Sequence, residues 1–164
     1  MAEIVRTYYD SGELFSECFE LNGKRNGEYK SYYENGKLCE ICTYIDGKKN
    51  GEHKVYHSNG QLENISTYID GKKNGECKSY CENGQLWGIY NYKDDKKNGE
   101  FKQYHNNGQL CLICTYINGK RNGEYIEYYD NGQIREIGIY VNGKKHGKYK
   151  IYNESGKLIK SGTV

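Results

Sequence analysis

Between glycines the chain carries short runs dense in Tyr, Ile and Leu, such as Lys37 to Ile45 and Glu52 to His57, with polar residues set among the apolar ones. No apolar period of 3.6 survives between the glycine marks, and β-branched residues and Tyr fill the runs, so the pattern predicts strands and no helix. The punctuation is periodic. Asn-Gly or Ser-Gly, then Lys, Gln or Glu, then Leu or Ile recurs at Gly12, Gly36, Gly60, Gly84, Gly108, Gly132 and Gly156, each 24 residues from the last. A second mark, Gly-Lys-Lys/Arg-Asn-Gly, stands at Gly23 to Gly27, Gly47 to Gly51, Gly71 to Gly75 and Gly119 to Gly123, with variants at Asp95 to Gly99 and Gly143 to Gly147. Asn-Gly between apolar runs is a type I′ hairpin signal, because both central residues need positive φ. The Gly-Lys-Lys-Asn-Gly segment reads as a longer turn with a glycine at each end.

Two turns per repeat predict an all-β protein: an elongated single-layer antiparallel meander of about seven 24-residue hairpin repeats, spanning 1–164 as one array. Repeats at about 9.6 Å each imply a rod about 65 Å long. Leu, Ile, Val and Phe supply only 29 of 164 residues, so 19 Tyr must carry much of the packing. Twelve fall on two repeat positions, Tyr8, Tyr32, Tyr56, Tyr80, Tyr104, Tyr128 and Tyr152 on one and Tyr44, Tyr68, Tyr92, Tyr116 and Tyr140 on the other. Leu38, Leu62, Leu86 and Leu110, with Ile41, Ile65, Ile89 and Ile113, are expected to complete the buried stripe.

Tyr-Tyr-x-Asn-Gly-x-Leu at Tyr32 to Leu38, followed by Tyr44 to Gly51, resembles the MORN repeat. It is similar in particular to the MORN variant of YwqK-type antitoxins and of repeat proteins of giant DNA viruses. The resemblance covers almost the whole chain and implies a hairpin array. As to function it implies a scaffold, a membrane-associated module or an appendage of an unrelated enzyme, and for the YwqK-type variant an antitoxin. The first repeat, about 1–23, departs with Glu17 and Glu20 where later repeats have Ile and Tyr, which fits a solvated N-terminal cap. The fourth has Lys93 and Asp95 for Ile and Gly.

Seven cysteines and no basic, apolar leader at Met1 to Val5 fit a cytoplasmic setting, the host cytoplasm for a viral protein. Cys39-Glu40-Ile41-Cys42 and Cys111-Leu112-Ile113-Cys114 are C-x-x-C pairs, but residues i and i+3 of a strand face opposite ways, so neither closes on a metal ion. None of the four histidines reads as a ligand, and no metal or cofactor is expected. No nucleophile motif, phosphate loop or dinucleotide fingerprint occurs, and the predicted function is noncatalytic. The basic turns from Lys24-Arg25 to Lys144-Lys145 line one edge, but neighbouring acids cancel them except at Lys144, Lys145 and Lys148. Those three are the polyanion candidates; nucleic acid is not expected as a partner.

The expected function is therefore a repeat scaffold that binds protein through an exposed aromatic and basic sheet surface. The alternatives are a YwqK-type antitoxin neutralising a cognate toxin and a membrane-surface adaptor for anionic lipid. Candidate partner-binding residues are Tyr32, Tyr56, Tyr80, Tyr104 and Tyr128, together with Trp87 and Tyr90 in the irregular fourth repeat. The sparsely charged terminal run Gly156 to Val164 is a candidate edge for homodimer formation.

Overall fold

The computed structural model describes all of residues 1–164, which form two compact units, 1–84 and 85–164. Unit one holds β1 (Ala2–Tyr8), β2 (Leu14–Leu21), β3 (Lys24–Tyr32), β4 (Leu38–Ile45), β5 (Lys48–Tyr56), β6 (Leu62–Ile69), β7 (Lys72–Lys73) and β8 (Gly75–Tyr80). Unit two holds β9 (Leu86–Lys93), β10 (Lys96–Tyr104), β11 (Leu110–Ile117), β12 (Lys120–Tyr128), β13 (Ile134–Val141), β14 (Lys144–Tyr152) and β15 (Leu158–Thr163). No helix interrupts them. Within each unit the strands pair antiparallel with their sequence neighbours as a meander, β6 taking both β7 and β8 because the strand breaks at Asn74.

The turn chemistry differs from the sequence expectation. The two-residue hairpin turn is Asp46-Gly47 and its equivalents: φ is +49° and +81° there, and +50° and +81° at Asn118-Gly119. Both residues sit in the left-handed region, as a type I′ turn demands. The following Lys-Lys-Asn-Gly is strand rather than loop, and its Gly51 (φ +88°) falls where the β4–β5 register slips between Cys42 and Tyr44. That glycine serves a bulge. The Asn35-Gly36 mark lies instead in a longer loop, closed by Gly36 N donating to Tyr33 O (2.8 Å) and Tyr33 N donating to Lys37 O (2.8 Å).

Strand alternation divides each unit into two unlike faces. On one, here the packed face, lie the most buried residues: Cys18, Tyr29, Cys42, His53, Ser66 and Cys77 in unit one, and Tyr90, Phe101, Leu112, Cys114 and Tyr125 in unit two. The core is thus built of thiols and rings, not of the Leu and Ile stripe expected from the sequence. Leu38, Ile41 and their equivalents are only half-buried. Size is conserved across the strands: where position 149 has Tyr, glycines face it, and a Cβ on Gly138 would lie 3.4 Å from Tyr149 Cβ and one on Gly162 2.8 Å from its Cε1.

Basic residues cover the rings. The second cation of each Lys-Lys or Lys-Arg pair turns inward over an aromatic face: Arg25 over Tyr29 (4.7 Å), Lys49 over Tyr68 (5.6 Å), Lys97 over Phe101 (4.5 Å), Arg121 over Tyr125 (5.0 Å) and Lys145 over Tyr149 (5.5 Å). Each contact is worth about 0.5–2 kcal/mol according to its exposure. The first cation of each pair stays exposed, whereas the second is half-buried in every pair but Lys24-Arg25, where Arg25 is exposed too. The basic turns are therefore half solvated edge and half structural cover.

Candidate functional site

The other face has no layer on it. It carries Ile45 and Ile69 in unit one, 51% and 54% exposed, and Ile117 and Ile139 in unit two, 47% and 48% exposed. Glu and Lys two residues apart on one strand pair beside them, as Glu52 with Lys54 (2.5 Å) and Glu100 with Lys102 (2.5 Å). Such exposed pairs contribute about 0–1 kcal/mol each and serve mainly to keep an apolar surface wetted. Shallow grooves cross this face, among them one in unit two between Ile113, Ile126 and Tyr128. Another, about 300 Å³, is lined by Ile4, Glu17, Phe19, Glu28 and Lys30 of unit one. A third, about 290 Å³, is lined by Ile137, Ile139, Lys148, Lys150 and Tyr152 of unit two.

The residues singled out in the sequence do not make one patch. Tyr32, Tyr56, Tyr80, Tyr104 and Tyr128 are all half-buried. Their repeat position belongs to the open face, where the Tyr32 hydroxyl donates to Glu17 Oε1 (3.0 Å) and Tyr128 flanks Ile113 and Ile126. Trp87 lies toward the packed face, its ring 6.1 Å from that of Tyr90, and keeps 42% of its surface exposed. Tyr90 needs correcting as a contact residue: it is buried to 6% exposure. Its ring lies over Gly88, where a Cβ would come within 2.7 Å of Tyr90 Cζ, and packs on Phe101 at 5.0 Å. The irregular fourth repeat is thus largely a packing exchange, a large ring at position 90 taking room released at position 88.

Nor do the three basic candidates act together. Lys145 forms an ion pair with Glu136, which satisfies the otherwise orphaned, buried Oε1 of that carboxylate, and hydrogen bonding to Glu136 raises the lysine pKa above its usual value. Lys144 and Lys148 are exposed, and Lys148 borders the unit-two groove at Ile137 and Ile139.

One cluster on the packed face was not foreseen. Cys42 and His53 are cross-strand partners on β4 and β5, and Glu40 lies two residues before Cys42 on the same face. His53 Nε2 is 2.7 Å from Glu40 Oε1, Lys49 Nζ is 2.5 Å from the same oxygen, and Ser66 Oγ is 3.4 Å from His53 Nδ1. The hydrogen bond with His53, helped by Lys49 against the cost of burial, holds the Glu40 carboxyl down at about 2. Burial pushes the Cys42 thiol up to about 11. Sequence reasoning tested donors along one strand and missed donors across two. The usable signal was that positions 42 and 53 share a register, which the repeat itself sets.

Also missed was the series Tyr9, Tyr33, His57, His105 and Tyr129, one residue after the more obvious tyrosines. Each reaches the carbonyl 23 residues on: Tyr33 to Tyr56 O (2.6 Å), His57 to Tyr80 O (3.0 Å), Tyr129 to Tyr152 O (2.9 Å). Asn at the loop tip does the same, Asn59 Nδ2 donating to Glu82 O (2.7 Å) and Asn107 Nδ2 to Asp130 O (2.6 Å), while its Oδ1 accepts the amide two residues on. These bonds tie each repeat to the next inside a unit.

A tandem array of two-stranded units, held by inter-repeat hydrogen bonds and a cation-capped aromatic ladder, defines the class as a β-hairpin repeat protein. The chain belongs to the MORN repeat variant family: the family model matches six consecutive segments, 25–46, 49–70, 73–94, 97–118, 121–142 and 145–164. No curated protein matches the chain. Among solved structures it is similar to TcdB2-TccC3-TEV at 11% identity over 93% of this chain and 11% of that one, with a TM-score of 0.27. The Photorhabdus luminescens Tc holotoxin pore gives 10% identity over 91% of this chain and 10% of that one, TM-score 0.25. A Bacteroides fragilis NCTC 9343 protein of unknown function gives 8% identity over 99% of this chain and 92% of the other, TM-score 0.16. This chain spans about a tenth of the length of the first two, and likenesses this low carry no argument about function. No helix is long and apolar enough to cross a membrane.

Proposed function

We propose that this chain is a noncatalytic repeat scaffold whose open sheet face binds a protein partner. One observation carries the reading: in each unit the packed face is closed by its own cation and ring ladder, while the opposite face leaves an aliphatic exposed at one repeat position, Ile45 and Ile69 in unit one and Ile117 and Val141 in unit two, with Ile139 exposed two residues before Val141. Exposed aliphatics repeated in register and rimmed by charge are the composition of a protein interface, where an apolar centre is framed by a polar border. The half-buried tyrosines at 32, 56, 80, 104 and 128 add rigid rings to that surface at low entropic cost. The Glu–Lys pairs leave no single-sign stripe, which disfavours an anionic lipid or polyanion as the ligand.

The test is site-specific photo-cross-linking in the native cell. A photoreactive residue at Ile45 or Ile117 is expected to give one discrete protein adduct, and the same residue at Cys42 or Cys114 on the packed face none. Adducts from the packed face alone, or co-sedimentation with anionic liposomes without any protein adduct, would overturn the reading.

A further inference from the structure

We propose that Glu40, Cys42 and His53 form a binding site for a single thiophilic divalent metal ion, Zn²⁺ by the chemistry of the donors. A carboxylate oxygen, a thiol sulfur and an imidazole nitrogen lie within 4.8 Å of one another on the packed face of unit one. Thiolate with imidazole and carboxylate is a zinc donor set, and three protein ligands leave a fourth position for water. The strands set the spacing. Cys42 and His53 are directly opposed across β4 and β5, and Glu40, one side-chain period along β4, leans toward the same point.

Three considerations support the site, the first being that a side-chain cation already occupies it. The ammonium of Lys49 sits there, 2.5 Å from Glu40 Oε1 and 3.2 Å from His53 Nε2, standing where a metal ion would sit. Its long stem can swing to solvent when a dication displaces it. Ser66 Oγ, 3.4 Å from His53 Nδ1, fixes the ring so that Nε2 faces Glu40, the outer-shell support that metal-bound histidines usually have. The charge also balances: the Cys42 proton goes to solvent, and the dication meets one thiolate and one carboxylate.

The site is particular to one repeat. Glu136 and Lys145 repeat the ion pair of Glu40 and Lys49, but Gly138 and Tyr149 stand where Cys42 and His53 would be. Cys114 repeats the thiol, but Leu112 and Tyr125 flank it. The molecule therefore contains its own controls for a bare ion pair and for a bare buried thiol.

Chelator-treated protein titrated with Co²⁺ is expected to saturate at one equivalent. The visible ligand-field bands should be those of a tetrahedral site, with a thiolate charge-transfer band that Zn²⁺ abolishes by displacement. Cys42→Ser and His53→Phe place residues that this chain already carries at the equivalent Ser66 and Phe101, so the fold is retained. Each should weaken Co²⁺ binding by at least the roughly 10- to 100-fold that losing an outer-shell partner costs. Lys49→Met, which removes the competing ammonium and no ligand, should tighten it. Bands that persist in Cys42→Ser, uptake unchanged in His53→Phe, or no saturable Co²⁺ uptake by the parent chain would each overturn the proposal.

Discussion

Gly88 and Tyr90 show how one residue exchange propagates through a packed face. Elsewhere position 90 of the repeat holds Cys, Ser or Gly, and a ring there has room only because position 88 has no side chain. Gly88→Ala puts a Cβ within 2.7 Å of Tyr90 Cζ and forces the ring off Phe101, at an expected cost of about 1–3 kcal/mol. In Tyr90→Ser, which carries the residue found at Ser66, the same alanine should cost well under that amount. The coupling should fall in the range of about 0.5–3 kcal/mol typical of touching residues. Urea unfolding of the four proteins in this cycle measures it, and additive losses would show that the two positions do not share space.

At the scale of the element, the long loops are more than connections. Asn107 accepts the Gln109 amide through Oδ1 (3.0 Å) and donates through Nδ2 to Asp130 O (2.6 Å), so it closes its own loop and fastens the next. Asp can do only the first. Asn107→Asp turns a donor into a second acceptor facing a carbonyl, and the expected loss is about 1–3 kcal/mol, against near neutrality for Asp130→Asn, whose main-chain carbonyl remains. Thermal unfolding distinguishes them, and equal effects would contradict a side-chain tether. The same logic explains why β-turn residues alone did not give the right turn. Asn35-Gly36 and Asp46-Gly47 look alike as dipeptides, but the first Asn is occupied by side-chain bonds while the Asp enters positive φ.

For the whole molecule, the period gave the strands and their order directly, since 24-residue spacing of Gly, Tyr and Leu leaves only a hairpin array. Which face is packed was not legible. Hydrophobicity ranks Leu38 and Ile41 above Cys42 and Ser66, yet the latter pair are the more buried, because burial here depends on a large neighbour, such as Tyr29 beside Cys42, and on a cation folded over the rings. The Glu40, Cys42 and His53 cluster was hidden for the same reason: its members are close only across strands. The division of labour between faces is the central claim, and adjacent residues of β11 test it most directly. Tyr116 packs on Phe101 at 5.5 Å, lies under Lys97 and accepts from Arg121 Nε at 3.2 Å, while Ile117 beside it points to the open face. Replacing each by Thr and measuring unfolding free energy should cost about 1–3 kcal/mol at Tyr116 and within about 0.5 kcal/mol at Ile117. A loss at Ile117 equal to or greater than that at Tyr116 would contradict the account.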